Sequence, residues 1–296
     1  MAVEVTSETA VAGGEVVAEP SRVTARRGRD TRRIDVVWPP LLLGALIVGV
    51  WYFFSYVVLE PRRQFLLPPP HAVITDGFFG TFRGGQSKWS TLWEALQRSA
   101  TVAAIGLILS IAIGMVTAML MSQSAKIERA VFPFAVMLQA TPILALVPLI
   151  GFWFSFGTNS RVIVCVIIAL FPIIVNTLFG LQSAEQGLHD LFTLQHVSRT
   201  TRLRKLMFPA AMPAIFAGLR ISAGLSVIGA IVGDVFFGQG PAGLGRLLRR
   251  AANDAEGELL LATVIVSCSL GVVVFLLFGW LSRRVTGKWH GLNGAA

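Results

Sequence analysis

The chain has 296 residues, of which 54% are hydrophobic and 14% charged, with a formal net charge of +9. That apolar share lies above, and the charged share well below, those of an ordinary soluble domain, so the composition points to a membrane protein. The positive balance does not indicate a nucleic-acid partner, because the basic residues fall between apolar runs and no reader motif accompanies them.

Residues 1–35 carry Val, Ala, Glu, Gly and Thr without an apolar period and end in an arginine-rich patch, a texture that predicts a disordered cytoplasmic tail. Thr31-Arg32-Arg33 precedes an apolar run, as in a twin-arginine export signal. The run is long for a signal peptide and no Ala-x-Ala site follows, so a retained first span is expected.

A polytopic, all-α transmembrane domain is expected over residues 36–290, followed by a short tail over 291–296. Apolar runs of about 20 residues suffice to cross a hydrocarbon core of about 30 Å. Six such runs stand out, over residues 37–59, 99–122, 130–157, 162–182, 221–238 and 259–281. The third contains Pro133, Pro142 and Pro148, which predicts a kinked or broken span whose freed carbonyls find other partners. Gly106, Ser110 and Gly114 in the second span, and Gly218, Ser222, Gly229 and Gly233 around the fifth, predict close helix approach.

The longest connection, residues 60–98, carries Phe78, Phe79, Phe82, Trp89 and Trp93. These rings suit either a partner-binding surface or a helix at headgroup level, and the interfacial preference of Trp favours the latter. Between the fourth and fifth spans, residues 183–219 form a polar, strongly basic loop with Arg199, Arg202, Arg204 and Lys205. Its apolar positions Leu188, Leu191, Phe192, Leu203, Leu206 and Met207 recur at helical spacing, which predicts a short surface helix. Pro209 and Pro213 suit a sharp corner from that helix into the span. An amphipathic helix lying on anionic lipid is the alternative use of the same charges.

Asp234 is the sole carboxylate inside an expected span and is a functional candidate on that ground. It lies about 21 Å of helix beyond Arg220, near the outer end of the fifth span. It either lines a gate or pairs with Arg246 or Arg249, with pairing preferred. The glycine-rich stretch from Gly233 to Gly245 lacks the lysine of a phosphate-binding loop and is expected to turn at the extracytoplasmic mouth. Cys165 and Cys268 lie inside expected spans, and the histidines His71, His189, His196 and His290 are scattered without metal-ligand spacing. Packing thiols, no metal and no cofactor are expected. With both termini cytoplasmic, sixteen of the 25 Lys and Arg residues fall on that side, among them dense clusters beside the first and last spans.

Several motifs, in order, carry a resemblance. Asp190-Leu191-Phe192, His196 and Phe208-Pro209 fall where the coupling loop of ATP-binding-cassette (ABC) importer permeases has Glu-Ala-Ala, a glycine and Leu-Pro. Thr141-Pro142 through Pro148-Leu149, then Trp153-Phe154-Ser155-Phe156-Gly157, resemble conserved runs of the nitrate, sulfonate and taurine branch, with Ser155 in place of one glycine. Leu67-Pro68-Pro69-Pro70 and Gly243-Leu244-Gly245 resemble two further motifs of that branch.

The resemblance covers about residues 64–290 and implies a type I, MetI-like permease fold in a bacterial inner membrane. It further implies a separate ABC ATPase that supplies the energy, an extracytoplasmic solute-binding protein, and a second permease copy forming a homodimer in the lipid bilayer. Asp190, Leu191, Phe192, His196, Ser198, Arg199, Arg202 and Pro209 would meet the ATPase. Leu191 and Phe192 would act as apolar knobs, and Asp190 would pair with a base or cap the helix start. Gln139, Thr141, Asn176 and Thr177, with Asp234, would offer polar groups to the translocation path or gate, unless they serve ordinary interhelical bonding. A small anion is the implied solute, with thiamine-precursor pyrimidines and riboflavin carried by related permeases. A secondary carrier or a non-transporting scaffold remains open on sequence alone.

Overall fold

The computed structural model describes residues 33–82 and 84–287. The tails expected over residues 1–35 and 291–296 therefore lie almost wholly outside the described residues. Two compact units meet at Ile47 and Val48, the first holding the beginning of helix α1 (Arg33–Phe53) and the second holding all later elements.

Within the second unit the long helices are α2 (Lys88–Gln123), the bent pair α3 (Ala125–Ala140) and α4 (Ile143–Phe154), α5 (Thr158–Gln182), α7 (Phe208–Phe236) and α9 (Gly257–Thr286). Between them lie the short α6 (Gln186–Leu194) and α8 (Leu244–Asn253). Among the described residues five helices are long and apolar enough to cross a membrane, and a sixth span arises if α3 and α4 count as one. The expected break in the third span is a bend of 100° at Thr141 and Pro142. Pro142 has no N–H to continue α3, so the chain leaves it extended and re-enters a helix at Ile143.

Two boundaries differ from those the apolar runs predict. Helix α2 begins at Lys88, since Trp89 to Arg98 continue the helix as a polar and aromatic first section. Trp89 and Trp93, each about half exposed, sit on these opening turns rather than on a separate surface helix. Helix α7 begins at Phe208, so Arg220 lies inside a continuous helix and not at the edge of a loop. Its guanidinium stacks 3.7 Å from the ring centre of Phe275 on α9, where Gly279 leaves it room. A cation on an aromatic face is a favourable use of a charge withdrawn from water.

The seven small residues singled out on α2 and α7 face one helix. On α2, Gly106 packs on Cys165, Ser110 reaches the Val166 carbonyl at 3.4 Å and Gly114 packs on Ile173. From α7, Gly218 meets Asn176, Ser222 donates to the Ala169 carbonyl at 2.7 Å, Gly229 meets Cys165 and Gly233 meets Arg161. Helix α5 is therefore clamped between two stripes of small residues. Lipid tails give apolar helices no reason to prefer one another, so such packing and interhelical hydrogen bonds hold spans together. Cys165, fully buried at the centre of this sandwich, is a packing thiol as expected, whereas Cys268 is exposed.

A Cβ at Gly229 would come 2.8 Å from the Cα of Cys165, while one at Gly224 would meet nothing within 4 Å. Gly229→Leu is expected to cost upwards of about 2 kcal/mol by forcing α5 and α7 apart, against less than about 0.5 kcal/mol for Gly224→Leu. Thermal melting of the two purified variants in detergent checks this; equal melting would refute the close-approach account.

Candidate functional site

The basic loop folds into a capped, braced helix. Helix α6 ends with His196 in the left-handed region (φ 53°). The His196 amide donates to Thr193 O (3.0 Å) and the Val197 amide to Phe192 O (3.1 Å), which together form a Schellman cap. His196 therefore adopts the conformation that glycine takes most readily. Ser198 opens the next short helix, Arg199–Arg202, its Oγ accepting from the Thr201 amide at 3.2 Å. Arg202 donates to Thr193 Oγ1 at 2.8 Å and so braces α6 as an internal strut. Arg199 is exposed.

The exposed apolar stripe of α6 is Leu188, Leu191 and Leu194, the last 77% exposed. Phe192 is half-buried, whereas Leu191 and Leu194 are exposed. Leu194 was legible as the next step of the three-residue spacing from Leu188 and Leu191. Asp190 is exposed in mid-helix and does not cap the start, where Glu185 stands. No sharp corner follows. From Arg199 the chain runs helically to Phe236, with Leu203–Met207 in a wider π turn and Pro209 in the first turn of α7. Pro209 has no N–H to offer the turn before it, and the residues immediately preceding it form that π turn. Met207 is buried among Leu181, Ala211 and Ile215, and Leu206 is buried too, so α6 leads into α7 through a packed joint.

At the bend of α3 and α4 lies a cleft of about 330 Å³. Gln139 and Thr141 line it, with Ile167 and Phe171 of α5 and Leu225 and Ile228 of α7. No charged side chain is among its lining residues. Asn176 and Thr177 do not reach it. Asn176 Nδ2 donates to the Pro172 carbonyl at 2.8 Å beside Gly218, and Thr177 is buried with its hydroxyl unpartnered among the described residues. Neither makes an interhelical hydrogen bond among the described residues, the Asn176 bond being internal to α5, and the cleft keeps Gln139 and Thr141 as its polar groups.

At the far end of α7, Asp234 is 2% exposed. Its Oδ1 lies 2.9 Å from Arg161 and 3.4 Å from Arg246. Its Oδ2 accepts from the amides of Gly243 (3.0 Å) and Arg246 (2.7 Å), at the start of α8. Pairing with Arg246 agrees with the sequence reading, whereas Arg249 donates to the Val235 carbonyl and does not touch Asp234. The principal partner, Arg161, was missed. Its signal was a lone cation opening an apolar run in a chain with one intramembrane acid. Among the described residues no cluster of His, Cys, Asp or Glu can hold a metal ion.

Among the described residues the chain is thus a helical membrane protein with five candidate crossings and a bent pair that makes a sixth if counted as one, a cleft at that bend, and a capped exposed helix joined to a spanning one. Residues 110–287 match the family described as binding-protein-dependent transport system inner membrane component, and the chain belongs to that family, the permeases of ABC importers. A probable ABC transporter permease of Haemophilus influenzae is 29% identical over 252 residues, 85% of this chain and 98% of its own length. The formylaminopyrimidine transport permease of Halalkalibacterium halodurans is 31% identical over 236 residues, 80% and 90% of the two chains. Other relatives are named as sulfonate, taurine, nitrate and bicarbonate permeases, the branch whose motifs the sequence resembles. In fold, the chain is similar to one from the inward-facing methionine transporter MetNI, with a TM-score of 0.59 at 16% identity over 66% of this chain and 96% of that one.

Asp234→Asn is expected to leave Arg161 buried without a counter-charge and to cost about 3 kcal/mol or more. His196→Gly, which relieves a side chain in the left-handed region, should cost nothing and raise stability by up to about 1 kcal/mol. Melting of both variants beside wild type checks the pair; a destabilised His196→Gly would mean that the imidazole itself supports the cap.

Proposed function

We propose that two copies of this chain form the path of an ABC importer, with α6 seated in a groove of a separate ATPase subunit and both termini on the cytoplasmic side. The observation that carries this reading is the stripe Leu188, Leu191 and Leu194, exposed on a helix held by a Schellman cap, a Ser198 cap and the Arg202 strut. An apolar face fixed in position and joined by a packed turn to a spanning helix suits transmission of a push. A helix resting on lipid needs no such bracing. ATP hydrolysis then belongs to the partner, and a solute-binding protein delivers solute to the end carrying residues 237–243. One coupling helix per chain against two grooves in an ATPase dimer supports a homodimer, the symmetry most oligomers adopt.

The branch resemblance supports a small anion as solute. A second reading is favoured by the cleft itself. Its uncharged lining, with the amide of Gln139, the hydroxyl of Thr141 and the ring of Phe171, suits a neutral planar ring such as a thiamine-precursor pyrimidine better than an inorganic anion. The relative named for formylaminopyrimidine transport agrees with that chemistry.

Co-purification with the cognate ATPase tests the coupling site. Wild type is expected to capture the ATPase, and a Leu191→Glu, Leu194→Glu variant to lose it without a change in melting; equal capture would remove α6 from the interface. Orientation is checked in a Cys268→Ser background. Gly187→Cys should react with a membrane-impermeant thiol reagent only from the cytoplasmic side and Gln239→Cys only from the outside. The reverse pattern would invert the topology.

A further inference from the structure

Six consecutive carbonyls, from Phe237 to Ala242, are each held by an arginine. Arg161 donates to those of Phe237 (3.2 Å), Gln239 (2.5 Å) and Pro241 (2.9 Å). Arg246 takes the intervening pair, Gly238 and Gly240, both at 2.6 Å. Arg98 of α2 completes the series on Ala242 at 3.2 Å. The two principal arginines thus alternate along the chain, and Asp234 stands between them as their shared counter-charge. One positive charge in the triad exceeds the carboxylate, and the carbonyl dipoles answer it.

Residues 238–242 are exposed, so burial does not account for the order of this Gly-Gln-Gly-Pro-Ala stretch. The arginine contacts do. Left to itself, a loop with two glycines in five residues is flexible. A planar guanidinium fork with several donors in fixed directions can hold three carbonyls at once, which a lysine ammonium on a flexible stem cannot match.

The same loop is fastened on its other side to the end of the broken span. The Gln239 amide donates to the Phe156 carbonyl at 2.9 Å, and the rings of Phe156 and Phe237 meet edge to face at 6.1 Å. Phe237 is fully buried in a cluster with Val147 and Ile150 of α4 and Val164 of α5. The turn at Ser155, left-handed at φ 67°, is held from α5 by the Ser160 hydroxyl, which donates to the Ser155 carbonyl. The outer ends of α4, α5, α7 and α8 therefore meet at one arginine-bound loop.

We infer that Arg161 is a positioning residue for transport: it stiffens residues 237–243 into a latch, so that motion of α7 carries the end of the broken third span with it. This rests on the proposed drive through α6 into α7. A stiff loop passes a displacement of α7 to α4, whereas a loose one absorbs it.

The test uses spin labels at Phe152→Cys and Gln239→Cys in the Cys268→Ser background, with the chain in lipid nanodiscs beside its ATPase. Distance distributions are recorded without nucleotide and with ATP trapped by vanadate. Wild type is expected to give one narrow distribution in both states. Arg161→Lys, which keeps the charge beside Asp234 but loses the fork, is expected to broaden it while melting and ATPase capture hold. Arg161→Gln, which leaves Asp234 paired with Arg246 and with the Gly243 and Arg246 amides, should broaden it as well. A narrow distribution in Arg161→Lys, or a wild-type distance that changes between the two states, would overturn the latch. Failure of wild type to bind ATPase would instead refute the drive through α6, and the nucleotide-free comparison of wild type with Arg161→Lys would still decide the latch.

Discussion

Helix α5 can stand between α2 and α7 only because both neighbours present atoms small enough to let backbones touch. In a hydrocarbon solvent that near contact replaces the water-driven burial available to soluble proteins. Gly106 and Gly229 close on Cys165 from two sides, and Ser110 and Ser222 add hydrogen bonds to α5 carbonyls where side chains would otherwise separate the helices. The candidate sites border this sandwich. The cleft is lined from both α5 and α7 beside the broken span, α6 leads into one end of α7, and Asp234 ties the other end to the first turn of α5.

The two places where family glycines are replaced bear on how much a motif can change without a change of shape. Ser155 and His196 both keep positive φ values. At His196 the two cap hydrogen bonds, with Val197 and Phe192 half-buried beside them, hold the left-handed turn. At Ser155 the grip comes from Ser160 and from the close packing of the Phe156 ring on Gly151. In each case conformational freedom has been exchanged for neighbours that enforce the same turn, so the departures alter local chemistry and leave the backbone path alone.

Much of this was legible in the sequence, for reasons that differ from residue to residue. Apolar runs and small-residue spacing are local signals, and they placed the spans, the break at Pro142 and the stripes that face α5. The start of α2 escaped because Ser90, Thr91, Glu94, Gln97 and Arg98 are polar yet remain helical. The start of α7 escaped because Arg220 reads as a loop residue until Phe275 is seen beneath it. Arg161 and Asp234 lie far apart along the chain, and no local pattern joins them. Asn176 and Thr177 have the right chemistry for a path, but the rotation of α5 turns them away from the cleft, and that rotation is set by packing.

The bend at Thr141 and Pro142 also bears on how the chain enters a bilayer. Helices α3 and α4, of 16 and 12 residues, extend about 24 Å and 18 Å, each short of a hydrocarbon core of about 30 Å. Neither can cross alone, and at 100° to one another they do not add up to a straight crossing. The unpaired backbone groups at the bend are tolerable only where protein or water meets them. Val147 and Ile150 of α4 find their partners in Val164 and Phe237, which are synthesised later. The third span can thus complete its packing only after α5 and the end of α7 have arrived, unlike a span long enough to cross by itself.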